Sequence, residues 1–412
     1  MKKGWHTKKL GDVCSLLNRG ISPSYLEEGG VCVLNQKCIR DHEVSFEPSR
    51  RHDSKVKKVA EERFIQLGDV LVNSTGTGTL GRVAQVRDEP DEATTVDSHV
   101  TIVRPKPGLF HLDFFGYMLV VIEDAIKEAG EGCGGQTELA RSVLAERFSV
   151  SYPDSLAEQQ RIVGLLDEAF EGLATAKANA EKNLQNARAL FESHLQSVFT
   201  QGSQSAAEGR GPGWVEKRLE DVCVIGDGNH SSNYPKKEEL VAEGVPFIRA
   251  TNLVAGEISD DDMRFLSPEK HAQLKKGHLK TGDILFTNRG EIGKTAIVDT
   301  EHDGSNLNSQ IAWLRCGEIL NNRFLFHVLN SGAIKSHLEQ SKNGAALQQF
   351  TIRQIKELKI PIPPKDQQKA LIVSLDGLSE ETQRLARLYE RKLAALEALK
   401  KSLLHQAFTG AL

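Results

Sequence analysis

The stretch GDILFTNRGEIGKTAIV, residues 282–298, decides how the chain is organised. Its Gly293-Lys294-Thr295 run matches the end of a phosphate-binding loop, but such a loop also needs a glycine five residues earlier and a helix directly afterwards. Asn288 occupies the position of that glycine, and Thr295 opens an apolar, β-branched run. We therefore predict a β-hairpin with a glycine turn, and no nucleotide site.

A second copy of this stretch lies upstream at residues 68–86, GDVLVNSTGTGTLGRVAQV. Six pairs of similar segments recur in the same order in the two halves, with an offset of 209 residues between Gly4 and Gly213 and of 214 between Gly68 and Gly282. The repeats of solenoid proteins are much shorter, at about 20–50 residues. The sequence therefore predicts a duplicated unit.

Each unit begins with a globular part, which we place at residues 1–152 and 213–362. Short β-rich runs such as GDVLVN and GDILFT alternate there with a few helical stretches. Strands and helices mixed in this way favour an α+β fold. We expect two similar domains of this class.

Each globular part is followed by a long helix, predicted at residues 153–200 and 363–412, and a polar linker at 201–212 separates the two halves. Apolar residues of the second helix recur by four and three, which predicts the heptad seam of a coiled coil. The seam consists of Leu371, Leu375, Leu378, Thr382, Leu385, Tyr389, Lys392, Leu396, Leu399 and Leu403. A pseudo-twofold repeat would make the two helices antiparallel and form a spacer between the domains. Two separate surface helices, each packed on its own domain, are the alternative.

The composition limits the possible functions. The formal net charge of −4 and the pI of 6.4 give no sign of nucleic-acid binding, for which a basic balance is typical. The six cysteines form no C-x-x-C pair, which fits a reducing compartment. We find no signal-peptide core and no apolar run of about 18 residues, so we expect a cytoplasmic protein without a membrane span.

Three segments carry a resemblance to a known family: PDSLAEQQRIVGLLDE at 153–168, PPKDQQKALIVSLDG at 363–377 and LLHQAFTGAL at 403–412. With the order domain, helix, domain, helix, the whole chain resembles the DNA specificity (S) subunit of type I restriction-modification systems. The resemblance implies that each globular part is a target-recognition domain reading one half of a bipartite site in double-stranded DNA. It also implies that the helices set the spacing and bind two methyltransferase (M) subunits, to which restriction (R) subunits add.

The sequence offers no catalytic motif of its own. An adenine methyltransferase would carry an Asn/Asp-Pro-Pro-aromatic tetrad and a glycine-rich donor loop, but the internal Pro-Pro lies in IPPKD. The acidic run RDEPDEATT is typical of a solvated loop, and no histidine spacing suits zinc. We expect a non-catalytic chain without metal or cofactor, with base flipping, methyl transfer and cleavage in partner subunits.

Polar loop residues in equivalent positions of the halves are the candidates for DNA contact, because Asn and Arg can bond base edges while Lys and backbone N–H groups bond phosphates. The hairpin loops contain Asn73, Ser74, Thr75, Thr77, Arg82, Asn288, Arg289 and Lys294. An early loop adds Tyr25, Asn229, His230, Tyr234 and Lys236, and the segment before the last short helix adds Gln136, Thr137, Gln348 and Gln349. An ordinary turn without DNA contact is the alternative for the hairpin loops.

Two other classes of function compete with DNA recognition. The first is an adaptor with two β-rich protein-binding modules on a coiled coil and no DNA contact, which the acidic net charge favours. The second is an enzyme with its own methyltransferase or nuclease site, which the missing motifs oppose. The salt dependence of DNA binding separates an adaptor from a DNA reader, because phosphate contacts make affinity fall steeply with salt.

Overall fold

The computed structural model describes residues 4–130, 138–208, 213–230, 234–341 and 349–412. The chain divides into two compact units, which are Met1–Ala180 with Arg391–Leu412, and Glu181–Glu390. Each unit contains one globular domain and one stretch of each of two long helices.

The first domain mixes short strands with short helices. Its elements are β1 (Trp5–Lys9), α1 (Leu10–Val13), β2 (Cys14–Arg19), β3 (Tyr25–Leu26), β4 (Val31–Leu34), β5 (Ile39–Arg40), β6 (Glu43–Val44), β7 (Arg50–His52), β8 (Val70–Asn73), β9 (Val83–Gln85), β10 (Thr94–Val96), β11 (Val100–Pro105), α2 (Leu112–Val121), α3 (Glu123–Gly130), α4 (Arg141–Glu146) and β12 (Ser149–Pro153). The long helix α5 (Leu156–Glu208) follows.

The second domain repeats this order. Its elements are β13 (Val215–Arg218), α6 (Leu219–Val222), β14 (Cys223–Asp227), β15 (Leu240–Val241), β16 (Val245–Ile248), β17 (Leu253–Val254), β18 (Glu257–Ile258), β19 (Arg264–Leu266), α7 (Pro268–Gln273), β20 (Ile284–Thr287), β21 (Thr295–Ile297), β22 (Asn306–Leu307), β23 (Ile311–Cys316), α8 (Asn322–Leu329), α9 (Gly332–Gln340), α10 (Ile352–Glu357) and β24 (Lys359–Ile362). The long helix α11 (Lys365–Thr409) follows.

The two domains have the same sheet topology. The central sheet is antiparallel, with strand order β2-β11-β8-β9 in the first domain and β14-β23-β20-β21 in the second. A second sheet contains one parallel pair, β4 with β10 or β16 with β22. Each domain also has a two-stranded sheet, which pairs β1 with β12 in the first domain and β13 with β24 in the second. The α+β class and the internal repeat predicted from the sequence are confirmed.

The central sheet is buried on both faces. Val70 and Val72 belong to the core that includes the long helices, whereas Leu71 belongs to the core on the opposite face. Ile284 and Leu285 divide between two cores in the same way. Side chains alternate along a strand, and a strand covered on both sides is a continuous apolar run. This burial explains the sequences VLV and ILF.

The repeated stretch that opens the sequence forms a hairpin in each domain, β8–β9 and β20–β21. Gly81 N donates to Asn73 O at 2.8 Å, and Gly293 N donates to Thr287 O at 2.9 Å. Strand β21 begins at Thr295, where a phosphate-binding loop would need a helix. The predicted hairpin is confirmed.

The Gly-Asp pair at the start of each hairpin anchors the central sheet. Arg104 donates to both carboxylate oxygens of Asp69 at 2.8 and 2.7 Å, and Arg315 donates to both of Asp283 at 2.7 Å. Each aspartate is 1 % exposed. The glycine before each aspartate has a φ of 88°, which favours glycine. The pair is therefore repeated because it stabilises the central sheet, to which the hairpin belongs.

In the first unit, the start of α5 packs against the end of α11. Ile162 and Leu166 share a buried core with Leu404 and Phe408. Since residues near the start of one helix meet residues near the end of the other, the helices are antiparallel in this unit. Within the described part of the chain, no helix has the length and apolarity needed to cross a membrane.

In the second unit, the end of α5 packs against the start of α11. Leu195 and Phe199 share a core with the fully buried Leu375, and Arg188 pairs with Glu390 at 2.8 Å. The helices are antiparallel in this unit too, as the sequence predicts.

The predicted heptad seam holds only along part of α11. Leu375 and Thr382 are buried, but Lys392 is exposed and Leu399 is 47 % exposed. The seam is wrong at those two positions, because the end of α11 packs on the core of the first domain through Leu404 and neighbouring residues.

Helix α5 continues to Glu208, into the segment 201–212 that the sequence analysis treats as a linker. Gln, Ser and Ala do not break a helix, and Gly202 lies inside it. A Cβ atom at Gly202 would lie 2.3 Å from the Trp214 ring. Glycine therefore permits a close approach here.

Each domain is hydrogen-bonded to the long helix that follows it. Tyr117 Oη donates to Asp167 at 2.5 Å in the first unit, and His327 Nε2 bonds Asp376 at 2.7 Å in the second. The two aspartates occupy the same place in the helix motifs LLDE and SLDG.

Candidate DNA interface

In the first domain, three segments meet at one end of the central sheet. Ser74 N donates to His99 O and Leu139 N donates to Ser74 O, both at 2.8 Å. Thr75 and Glu138 form an isolated backbone bridge. We call residues 74–82, 97–99 and 138–139 the first loop cluster.

The second domain has the same arrangement. Asn288 N donates to Gln310 O at 2.9 Å, and Phe350 N donates to Asn288 O at 2.8 Å. Arg289 and Gln349 form the equivalent backbone bridge. We call residues 288–294, 308–310 and 349–350 the second loop cluster. Two of the segments predicted to bind DNA, the hairpin loop and the stretch before the last short helix, are thus adjacent in each domain.

Three predicted contact residues of the first loop cluster reach the surface. Thr77 is exposed, and Thr75 and Arg82 are partly exposed. Arg82 donates to Gly78 O at 2.9 Å, so its guanidinium lies along the hairpin loop.

In the second loop cluster, the predicted residues Arg289, Lys294 and Gln349 are partly exposed. Lys294 pairs with Glu291 at 2.8 Å inside the loop. The same hairpin therefore presents Thr75, Thr77 and Arg82 in the first domain and Arg289 and Lys294 in the second.

Four other predicted residues are buried. The exposed fraction is 0 % for Asn73, 1 % for Ser74, 2 % for Asn288 and 5 % for Asn229. Asn229 holds the early loop in place, since its Oδ1 accepts from Lys276 N at 3.1 Å and its Nδ2 donates to Lys276 O. These side chains shape the loops from within and do not face solvent.

The early loop of the first domain leads away from its cluster. Arg19 bonds Glu138 at 2.6 Å and Leu139 O at 2.8 Å. Tyr25 lies further along, on the second sheet, where it is 49 % exposed with the Arg50 guanidinium 4.7 Å from its ring centroid. This pair offers an aromatic and cationic surface.

In the second domain, the early loop contains three predicted residues besides Asn229. His230 bonds Asp227 at 2.8 Å, Tyr234 packs on Phe247 with ring centroids 5.9 Å apart, and Lys236 is exposed. Burial raises the pKa of the Tyr234 hydroxyl. Although burial also raises the pKa of the Asp227 carboxyl, hydrogen bonds from Lys276 and His230 bring it below its usual value.

A basic segment lies beside the early loop in each domain. Residues 50–58, RRHDSKVKK, are held there by buried His52, which accepts from Ser24 N at 2.9 Å and bonds Lys57 O at 2.8 Å. In the second domain, residues 275–280, KKGHLK, are held by the bonds between Asn229 and Lys276. Sequence reasoning missed both segments because the net charge of the whole chain hides them.

The predicted residues Gln136, Thr137 and Gln348 lie outside the described residues. Within the described residues, no group of three or more His, Cys, Asp or Glu side chains could hold a metal ion.

Sequence reasoning also missed His99 and Gln310. Both are exposed, and they occupy the same turn of the two loop clusters. In that turn His99 N donates to the Asp97 side chain at 2.9 Å, and Gln310 N donates to the Asn308 side chain at 3.1 Å. The aligned segments VDSHV and LNSQI carry the signal, since a different polar residue stands at one repeated position.

A family model described as the type I restriction modification DNA specificity domain matches the chain twice, at residues 2–184 and 212–392. The chain belongs to this DNA specificity family. Membership supports the role in DNA-binding specificity expected from the sequence, and it does not support an adaptor without DNA contact.

Relatives of this DNA specificity chain include the putative type I restriction enzyme MjaX specificity subunit of Methanocaldococcus jannaschii, 21 % identical over 98 % of this chain and 93 % of the relative. The type I restriction enzyme EcoBI specificity subunit of Escherichia coli is 26 % identical over 42 % of this chain. That match spans 36 % of the EcoBI subunit, so this chain covers about a third of its length.

Two solved structures share the fold of this DNA specificity chain. A chain from work on complex assembly and conformational transition of the type I R-M system superposes with a TM-score of 0.81, at 18 % identity, covering 100 % of this chain and 99 % of that one. The HsdS subunit from Thermoanaerobacter tengcongensis gives a TM-score of 0.62, at 21 % identity, covering 100 % and 98 %.

Proposed function

We propose that this chain is the DNA specificity subunit of a type I restriction-modification complex, and that each domain reads one half of a bipartite site in double-stranded DNA. The recognition domains are residues 1–152 and 213–362. Helices α5 and α11 set the gap between the half-sites.

One observation supports this proposal above all: the two loop clusters have the same backbone arrangement but different side chains. Thr75 corresponds to Arg289, and His99 corresponds to Gln310, at positions fixed by the same backbone hydrogen bonds. Two different half-sites can be recognised by one backbone arrangement that carries two different sets of base-contacting side chains. Base-edge contacts carry the sequence information.

The basic segments at residues 50–58 and 275–280 supply contacts to DNA phosphates. Lys55, Lys57, Lys58, Lys275 and Lys276 are exposed there. Each segment lies beside the early loop of its domain, so phosphate-binding cations and base-reading groups belong to the same domain. The net charge of −4 does not oppose this, because DNA responds to local charge within about 10 Å.

The long helices bind two M subunits, and R subunits join through the complex. Methyl transfer and DNA cleavage take place in these partners, while this chain contributes recognition. The family assignment and the likeness to a chain studied in type I R-M complex assembly support this division.

Methylome sequencing of cells that carry this chain with its M partner tests the proposal. We expect a bipartite modified motif that disappears when this chain is deleted. Purified complex should bind a duplex with that motif, with log Kd rising steeply with log salt. Absence of both the motif and the DNA binding would refute the proposal.

A further inference from the structure

His99 is an exposed side chain that bonds Thr75, and Thr75 is in turn bonded by Gln36. Its Nδ1 lies 2.7 Å from Thr75 Oγ1, and Gln36 Nε2 donates to that same hydroxyl oxygen at 2.6 Å. While one lone pair of the hydroxyl accepts from Gln36, its proton is free to point to His99 Nδ1. In that arrangement the ring proton is on Nε2, and His99 offers an N–H donor beyond the hairpin loop.

Gln310 occupies the same turn in the second domain and is oriented by a different neighbour. The buried Asn308 donates from Nδ2 to Gln310 Oε1 at 3.1 Å. This bond engages the carbonyl end of the Gln310 amide. Among the described residues its Nε2 makes no hydrogen bond, so Gln310 also presents N–H donors at the surface.

A single N–H donor that is held in one direction suits a base edge better than a phosphate. In the proposed function, phosphates are bound in each domain by the exposed lysines of the basic segments, which act as point charges. A single directed N–H group instead matches one acceptor in the major groove, such as purine N7, guanine O6 or thymine O4. Held side chains also lose less conformational freedom on binding.

We propose that His99 and Gln310 are equivalent base-reading residues, each donating one hydrogen bond to an acceptor atom on a base of its own half-site. This inference rests on the proposed function and adds to it the residue and the atom type that are read. Thr75 and Asn308 are positioning residues, because they act through His99 and Gln310.

The test uses the full chain in complex with its M partner and the motif obtained from methylome sequencing. We expect His99→Ala to lose about tenfold in discrimination at one base pair of one half-site, the usual size for a base contact. Gln310→Ala should lose a similar factor at one base pair of the other half-site. The thermal midpoints should not change, since both side chains are exposed.

Analogue bases identify the atom. At single positions, 7-deazapurine removes purine N7, 2-aminopurine in place of guanine removes O6, and 4-thiothymine replaces thymine O4 by a weaker acceptor. One such substitution should weaken the parent complex about tenfold and leave His99→Ala unaffected. Thr75→Val should weaken discrimination at the same base pair, because His99 is then no longer held.

Several outcomes would overturn the inference. If His99→Ala weakened all sequences equally, the contact would be to phosphate. If both variants affected the same half-site, or kept full discrimination, the residues would not be the equivalent readers. A parent complex without any bipartite motif would instead remove the proposed function itself.

Discussion

Gln159 and Gln368 make the same set of hydrogen bonds in the two units. Gln159 Oε1 accepts from His111 N at 2.8 Å, and its Nε2 donates to Leu109 O at 3.3 Å and Pro153 O at 2.9 Å. Gln368 bonds the N of Asn321 and the O of Ile319 and Pro363 at 2.8, 2.9 and 2.9 Å. The exposed fractions are 0 % and 1 %. These bonds explain why glutamine recurs in the motifs AEQQR and KDQQK.

Replacement of Gln159 by Ala should destabilise the first unit by about 1–3 kcal/mol, because buried backbone groups lose their partner. Thermal unfolding should show a fall of several degrees. Gln160→Ala is the matched control, since Gln160 is exposed in the same motif. Equal effects of the two changes would contradict this role for Gln159.

The His327–Asp376 bond should make the second unit sensitive to mild acid. Burial lowers the pKa of His327 below its usual value, and Asp376 only partly reverses this. The unfolded chain therefore binds the proton more readily than the folded chain does. The stability that neutral His327 contributes is complete above about pH 6.5 and is lost as the pH falls through the folded-state pKa of His327. The loss is about 1.4 kcal/mol for each unit of pKa difference.

Melting curves of the parent and of His327→Gln at about pH 7.5 and 5.5 check this. Glutamine can donate to Asp376 but does not titrate, so the variant should lose less stability on acidification. His194→Gln removes an exposed histidine and should behave like the parent. A parent and His327→Gln with the same acid response would exclude His327 as the cause.

The buried part of the α11 seam should matter far more than its exposed part. Leu375→Ala should cost about 2–5 kcal/mol because Leu375 is fully buried. Leu399→Ala, at a position 47 % exposed, should stay within about 0.5 kcal/mol. Chemical denaturation measures both, and the reverse order would show that α11 packs through a different face.

Lysines of the basic segment should control salt dependence without changing the motif. Lys55→Gln and Lys58→Gln should each reduce the slope of log affinity against log salt by about 1, since one phosphate contact is lost. Lys182→Gln, on α5, is the control. A changed recognition sequence in either segment variant would mean that these lysines contact bases.

Insertion of one heptad in both long helices, after Ala180 and after Glu390, tests the spacer. Seven helical residues add about 10 Å, which corresponds to roughly three base pairs at 3.4 Å each. The modified motif should keep both half-site sequences and gain a wider gap. Changed bases in either half would contradict a passive spacer.

The sequence predicts the frame of each domain, but it does not predict which polar side chains face solvent. The repeated Gly-Asp hairpin and helix motifs predict the duplicated α+β fold, because glycine turns and apolar periodicity depend on residues that are close in sequence. Asn73 and Asn288 have side chains of the type that reads bases, yet both are buried. Residue type gives polarity, but the direction of a side chain depends on neighbours that are distant in sequence.

For the same reason, sequence reasoning does not identify His99 as a candidate contact residue. Its orientation comes from Thr75 and Gln36, which lie 24 and 63 positions earlier in the chain. The end of α5 could not be placed from sequence either, because the polar residues after Thr200 are compatible with both helix and linker. Beyond Thr200, the helix packs closely against Trp214 at Gly202.

The buried glutamines bond only main-chain atoms of the domain they hold. This part of the attachment places no demand on the side chains of the domain, in contrast to the Tyr117–Asp167 and His327–Asp376 bonds, so it can hold any domain with the same backbone course at that point. Recombination within the stretches that encode the repeated helix motifs would then exchange whole domains between genes while these bonds are preserved. A cell could thus acquire a new recognition sequence in one genetic event, without refining the attachment by successive mutation.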